Sequence, residues 1–161
     1  MRELNELKQV VEQLRAENGC PWDRAQTHES LKAPLIEEAA EVLCGINVLG
    51  STGSPANLRE ELGDLLLQIV FHAVIAEENG EFTLTDVIRD ITEKMRRRHP
   101  HVFGRAQLET DEEIRAAWEA AKKAEKEARA AQGPDAGAWL PAAFEESREL
   151  IARAEKRKGI R

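Results

Sequence analysis

The stretch LIEEAAEVL, residues 35 to 43, sets Glu37, Glu38 and Glu41 among residues that are otherwise apolar or small. A second acidic run, EELGD, supplies Glu60, Glu61 and Asp64. At about 100° per residue of an α-helix, each triplet falls within an arc of roughly 100°, so the carboxylates of each run share a face. Either run alone reads more readily as the solvated side of a surface helix, where charged residues usually lie. The second run changes that balance because it leads into the most apolar segment of the chain, LLLQIVFHAVIA. Ionised oxygens withdrawn from water need a counter-charge, and Arg59 is the one cation near them in sequence. Glu38/Glu41 and Glu61/Asp64 are i, i+3 pairs, one helical turn apart. A short turn between the two helices, STGSPAN, would make them antiparallel neighbours, so that four oxygen donors could converge on a cation. A set of carboxylates without His or Cys favours Mg²⁺, with Mn²⁺ as its substitute, over zinc. Four carboxylates facing a triphosphate would repel it unless more than one such ion intervened.

The densest positive charge is KMRRRHPH, Lys94 to His101. Cations at a helix C-terminus complement the macrodipole, and arginine forks also match phosphate oxygens, so the cluster reads either as a solvated helix end or as a phosphate clamp. Lys94 and Arg98, at i, i+4, share a face. His99 and His101 read as capping or surface residues.

The elements that must position these groups are helices. The chain has 161 residues, 42% hydrophobic and 33% charged, with 10 Gly, 6 Pro and no Tyr, a length for one domain and a composition for an all-α fold. Leu4, Leu7, Val10, Val11 and Leu14 predict an amphipathic helix over residues 3 to 17, stopped near Asn18-Gly19. The loop GCPWDRAQTHES offers Thr27 or Ser30 as N-caps for a helix from about Leu31 to Leu49, with Pro34 tolerated in its first turn. Residues 51 to 57 form the turn, and a third helix runs from about Leu58 to Glu78, apolar almost all round and so expected to be buried in a bundle or an oligomer. TLTDVIRDITEKMRRRHP makes a fourth helix, capped by Thr83 or Thr85 and ended before Pro100. Thr110 with Glu113 predicts a capping box for a fifth helix reaching about Ala131. Beyond the QGPDAG linker, residues 139 to 157 predict a last, weaker helix. Two cysteines, Cys20 and Cys44, are too few for a disulfide framework and suggest a reducing compartment. A net charge of −7 argues against a nucleic-acid polymer as partner. With no apolar run long enough for a membrane span and no signal-peptide core, a cytoplasmic location is expected.

Together, NGCPWDRAQTHESLKAPLIEEAAEVLCGI, NLREELGDLLLQIVFHAVIAEENGEF, EKMRRRHPHVFG and, more loosely, EIRAAWEAAKKAEK resemble the MazG nucleotide pyrophosphohydrolase family of the all-α NTP pyrophosphatase superfamily, over residues 5 to 126. The resemblance implies Mg²⁺-dependent hydrolysis of nucleoside triphosphates between the α and β phosphates, giving monophosphate and pyrophosphate. It implies Glu38, Glu41, Glu61 and Asp64 as metal ligands, Glu37 and Glu38 as the catalytic carboxylates, and Lys94, Arg97 and Arg98 as phosphate contacts. Trp118 and Lys122 are similar to a Trp-Glu-x-x-Lys segment that closes over the nucleotide, and Trp22 and Asp23 of CPWD either line the pocket or fix the loop. The family core is a four-helix bundle completed by homodimerisation, with a tetramer as the next level of assembly. Residues 1–131 would then be the catalytic domain and 132–161 a linker and helical tail. Many family members carry two such domains, whereas one is present here, and LPAAFEESRELIARAEKRKG loosely resembles the connector before the second. The rival expectation is a non-catalytic helical module that uses its acidic faces to hold a basic partner. A narrower enzyme reading restricts the substrate to deoxynucleotides or damaged nucleotides, a house-cleaning role.

Overall fold

The computed structural model describes residues 2–130 and 136–160, and among these every regular element is helical, with no strand. In chain order they are α1 (Arg2–Arg15), α2 (Pro21–Arg24), α3 (Lys32–Thr52), α4 (Ala56–Glu78), α5 (Leu84–Arg98), α6 (Pro100–Phe103), α7 (Asp111–Ala130) and α8 (Leu140–Arg157), with a 3₁₀ turn at Ala136–Ala138. Ala131 and residues 132–135 of the expected linker lie outside the described residues. The chain divides into two compact units, Met1–Leu84 with Phe144–Arg161, and Thr85–Ala143.

The first unit is organised by the α3–α4 hairpin. α3 ends in a left-handed glycine, Gly53 at φ 74°, whose N–H donates to the Leu49 carbonyl at 2.8 Å. Glycine reaches that region without steric cost, so the turn closes over residues 53–55, tighter than the seven-residue turn read from the sequence. The two helices meet closely at Gly45, where an added Cβ would lie 2.8 Å from the Leu58 Cα. Gly45→Val is therefore expected to force the hairpin apart and cost about 1–3 kcal/mol, read as a lowered midpoint in urea unfolding. An unchanged midpoint would show that the approach is not tight.

α1 packs on the C-terminal half of α4. Val11 is fully buried, and Lys8 and Arg15 pair with Glu77 at 2.9 Å and Glu78 at 2.7 Å. The core of this unit is drawn from Val70, Phe71, Ala73, Val74, Ile75 and Ala76, with Leu31, Leu84 and Ala154. The buried residues of α4 thus all lie in its second half, from Gln68 onward; Leu62 and Leu66 of its first half and Ile69 just past its middle are exposed, which the all-round apolar sequence did not distinguish. Leu31 occupies the N-cap position of α3 without a side-chain cap. Thr27 and Ser30 instead cap one another across the preceding turn, each hydroxyl accepting the other's backbone N–H at 3.1 and 2.9 Å. His28 and His72 stack nearly parallel with their Nδ1 atoms 2.8 Å apart, and burial first, then His28, pushes the His72 imidazole below the usual histidine range. α8 joins this unit through buried Ala154 and a 3.0 Å ion pair between Glu146 and Lys32.

In the second unit the expected capping box is present. Glu113 Oε2 accepts the Thr110 N–H at 3.1 Å, and Thr110 Oγ1 accepts the Glu113 N–H at 3.2 Å. Glu125 of α7 ties down α5 by accepting from Arg97 and Arg98 at 2.7 and 2.5 Å.

Candidate metal centre

Opposed on the hairpin, α3 and α4 bring Glu38, Glu61 and Asp64 together. Each offers an oxygen, and the three oxygens lie within 4.8 Å of one another. Glu61 comes from the first turns of α4, where its Oε1 accepts from Asn57 Nδ2 at 2.7 Å. That bond orients the carboxylate one turn ahead of Asp64. Glu38 is half-buried, and its carboxyl is pushed above the usual range by burial first and then by the charges of Asp64 and Glu61. A carboxylate whose ionisation is opposed by two neighbouring carboxylates marks a place where positive charge is favoured. Hard oxygen donors at this spacing fit a divalent cation of the Mg²⁺ or Mn²⁺ type.

The other two glutamates of the first run are turned elsewhere. Glu37, with its side chain 15% exposed, is ion-paired to Arg157 at the end of α8. Glu41 is ion-paired to Lys158, the next residue. The three-carboxylate group therefore holds Glu38, Glu61 and Asp64 but not Glu41. The tail cations were not legible as site residues, because 120 and 117 positions separate them from the glutamates they meet. Asn57 was legible in principle, standing one turn before Glu61.

The expected phosphate contacts belong to the second unit. Arg98 stacks its guanidinium over the Trp118 ring, 4.9 Å from the centroid, and His99 meets the same ring edge-on at 5.1 Å. Arg98 and then Arg97 hold the Glu125 carboxyl down to about 2. Lys94 is half-buried on α5 with no ion-pair partner among the described residues, and Lys122 pairs with Glu119 at 3.3 Å. Trp22 on α2 is 76% exposed, its carbonyl accepting from Gln26 Nε2 at 3.1 Å. The neighbouring Asp23 carbonyl accepts from Arg15 Nη1 at 2.7 Å, so CPWD is anchored to α1 through its backbone.

Residues 26–103 match the MazG nucleotide pyrophosphohydrolase domain. The chain carries a MazG domain. The match spans both carboxylate runs and the Lys94 to Arg98 cluster, while Trp22, Trp118, Lys122 and α8 lie outside it. A nucleoside triphosphate pyrophosphohydrolase/pyrophosphatase MazG of Thermotoga maritima is 56% identical over 99 residues, 62% of this chain and 37% of its own length. An Escherichia coli K12 nucleoside triphosphate pyrophosphohydrolase is 40% identical over 131 residues, 81% of this chain and 48% of its own. The Bacillus subtilis protein YabN is 47% identical over 124 residues, 77% of this chain and 24% of its own. The chain thus spans between about a quarter and a half of the length of these relatives. No helix among the described residues is long and apolar enough to cross a membrane.

Proposed function

We propose that the MazG domain hydrolyses nucleoside triphosphates between the α and β phosphates, with Mg²⁺, or Mn²⁺ in its place, giving monophosphate and pyrophosphate. The observation that carries this reading is the convergence of Glu38, Glu61 and Asp64 across the hairpin. These three would hold the metal, with Glu41 as a fourth donor once parted from Lys158. When bound, the ion supplies Lewis acidity, neutralising phosphate charge and making water acidic enough to act as a nucleophile near neutral pH. Glu38, with its raised proton affinity, is suited to take a proton from the attacking water, and Glu37 to orient that water. Lys94, Arg97 and Arg98 are the candidates to stabilise charge growing on pyrophosphate. Trp118 and Lys122 would contact the nucleotide, with Trp22 a further apolar surface for it.

This reading takes residues 1–131 as the catalytic domain, 132–161 as linker and tail, and the cytoplasm as the compartment. A second copy of the chain is the partner it requires, a homodimer that can pair into a tetramer, since Leu62 and Leu66 of α4 and Leu43 and Ile46 of α3 leave apolar side chains in water. Phosphorus NMR of reactions with a panel of ribo-, deoxyribo- and oxidised triphosphates tests the activity and the substrate class together. Pyrophosphate and monophosphate should appear with Mg²⁺ and vanish with EDTA. Orthophosphate with diphosphate, or no turnover of any member of the panel, would overturn the reading.

A further inference from the structure

Five carboxylates, Glu37, Glu38, Glu41, Glu61 and Asp64, crowd the hairpin, and two of them are neutralised from the far end of the chain by Arg157 and Lys158. The cations are presented by an ordered helix end. The Lys158 N–H donates to the Ala154 carbonyl at 2.9 Å, the Ile160 N–H to Glu155 at 2.9 Å, and Gly159 takes φ 69°, closing α8 as a glycine C-cap does. Behind that cap, Ala154 is buried and Glu146 is paired to Lys32, so α8 is anchored to the helix whose glutamates it meets.

A lysine ammonium on Glu41 and a divalent cation shared by Glu41 with Glu38, Glu61 and Asp64 are competing uses of one carboxylate. We propose that the C-terminal end of α8 is a built-in counter-ion of the metal site: Lys158 and Arg157 hold Glu41 and Glu37, and binding of a divalent cation exchanges Lys158 for the ion at Glu41. The inference rests on the metal reading of the site given above. Its consequence is that metal affinity is set partly by the tail, because whatever pulls α8 away strengthens the site by linkage and whatever fixes α8 weakens it.

Mn²⁺ binding to the full chain, followed by the loss of the free-ion electron paramagnetic resonance signal, tests this without any turnover. Lys158→Ala should bind Mn²⁺ about fivefold to tenfold more tightly than the unmodified chain, within the range of ordinary coupling energies. Lys158→Arg should restore the weaker binding, and Lys158→Gln should behave as alanine does, which separates charge from packing. In the unmodified chain, hydrogen exchange across residues 154–160 should speed up when Mn²⁺ is added. Equal affinity in Lys158→Ala and the unmodified chain, with binding still lost in Asp64→Asn, would overturn the tail's role and leave the metal site standing. Weaker binding in Lys158→Ala would overturn it too, by making the lysine a support of the loaded site. No Mn²⁺ binding by any of the chains would overturn the metal reading itself.

Discussion

Glu38→Gln and Asp64→Asn are each expected to reduce pyrophosphate release by about a hundredfold or more, since even outer partners of metal ligands are worth about 10–100-fold. The helical circular dichroism spectrum should not change. The two effects separate because these carboxylates do not hold the fold together. Glu38 has its proton affinity raised in the folded chain, by burial and by Asp64 and Glu61, so the stability linked to it is fully present below the unfolded pKa and is lost as pH rises through the folded value. At neutral pH its ionisation therefore works against folding, and the isosteric amide removes that cost. Thermal unfolding of Glu38→Gln should come no earlier than in the unmodified chain and should lose part of its pH dependence just above the usual carboxylate range. Glu125 provides the contrast. Held down to about 2 by Arg98 and Arg97, it contributes stability that is present above its unfolded pKa and is lost as pH falls through about 2. Glu125→Gln should accordingly unfold earlier. A Glu38→Gln chain that keeps full activity, or that unfolds early while Glu125→Gln does not, would remove Glu38 from the site.

The difference between these two glutamates marks how far the sequence could be read. Helical spacing alone put Glu38, Glu61 and Asp64 on facing surfaces, because i, i+3 geometry and a short turn leave little freedom once both helices form. The capping box at Thr110 and Glu113 was equally local and equally visible. What spacing could not supply was the choice among neighbours on one face. Glu41 stands one turn from Glu38, yet it answers to Lys158, and no local rule brings residue 158 to residue 41. The same holds for Arg97 and Arg98, whose forks suit phosphate on paper and meet Glu125 in the fold. Gly45 was likewise unremarkable until Leu58 lay against it. The apolar stretch after Asp64 shows the reverse failure. Hydropathy averaged over LLLQIVFHAVIA describes one buried helix, while α1 covers only its second half.

That uncovered half sets the remaining large effect. Leu62, Leu66 and Ile69 follow i, i+4, i+7 along α4, and Leu43 with Ile46 lie one turn apart on α3; all five are between 39% and 62% exposed. Scattered apolar residues on a surface need no explanation, but five on the two helices of one hairpin leave apolar area in water that a partner surface would cover. Each would contribute up to about 1.5–3 kcal/mol if fully buried, and a two-fold axis lets one such patch cover its own copy. A second copy of the chain is therefore the expected occupant. Leu66→Glu puts a charge into the surface such a pairing would bury and should shift the mass from light scattering to that of a single chain. Activity should fall with it, because Glu61 adjoins Leu62 and Asp64 precedes Leu66 by two residues. Covering the leucines keeps water from those carboxylates, and a wet site binds and polarises less strongly. A Leu66→Glu chain that stays dimeric would move the interface elsewhere, and one that is monomeric with full activity would show each copy to hold a complete site.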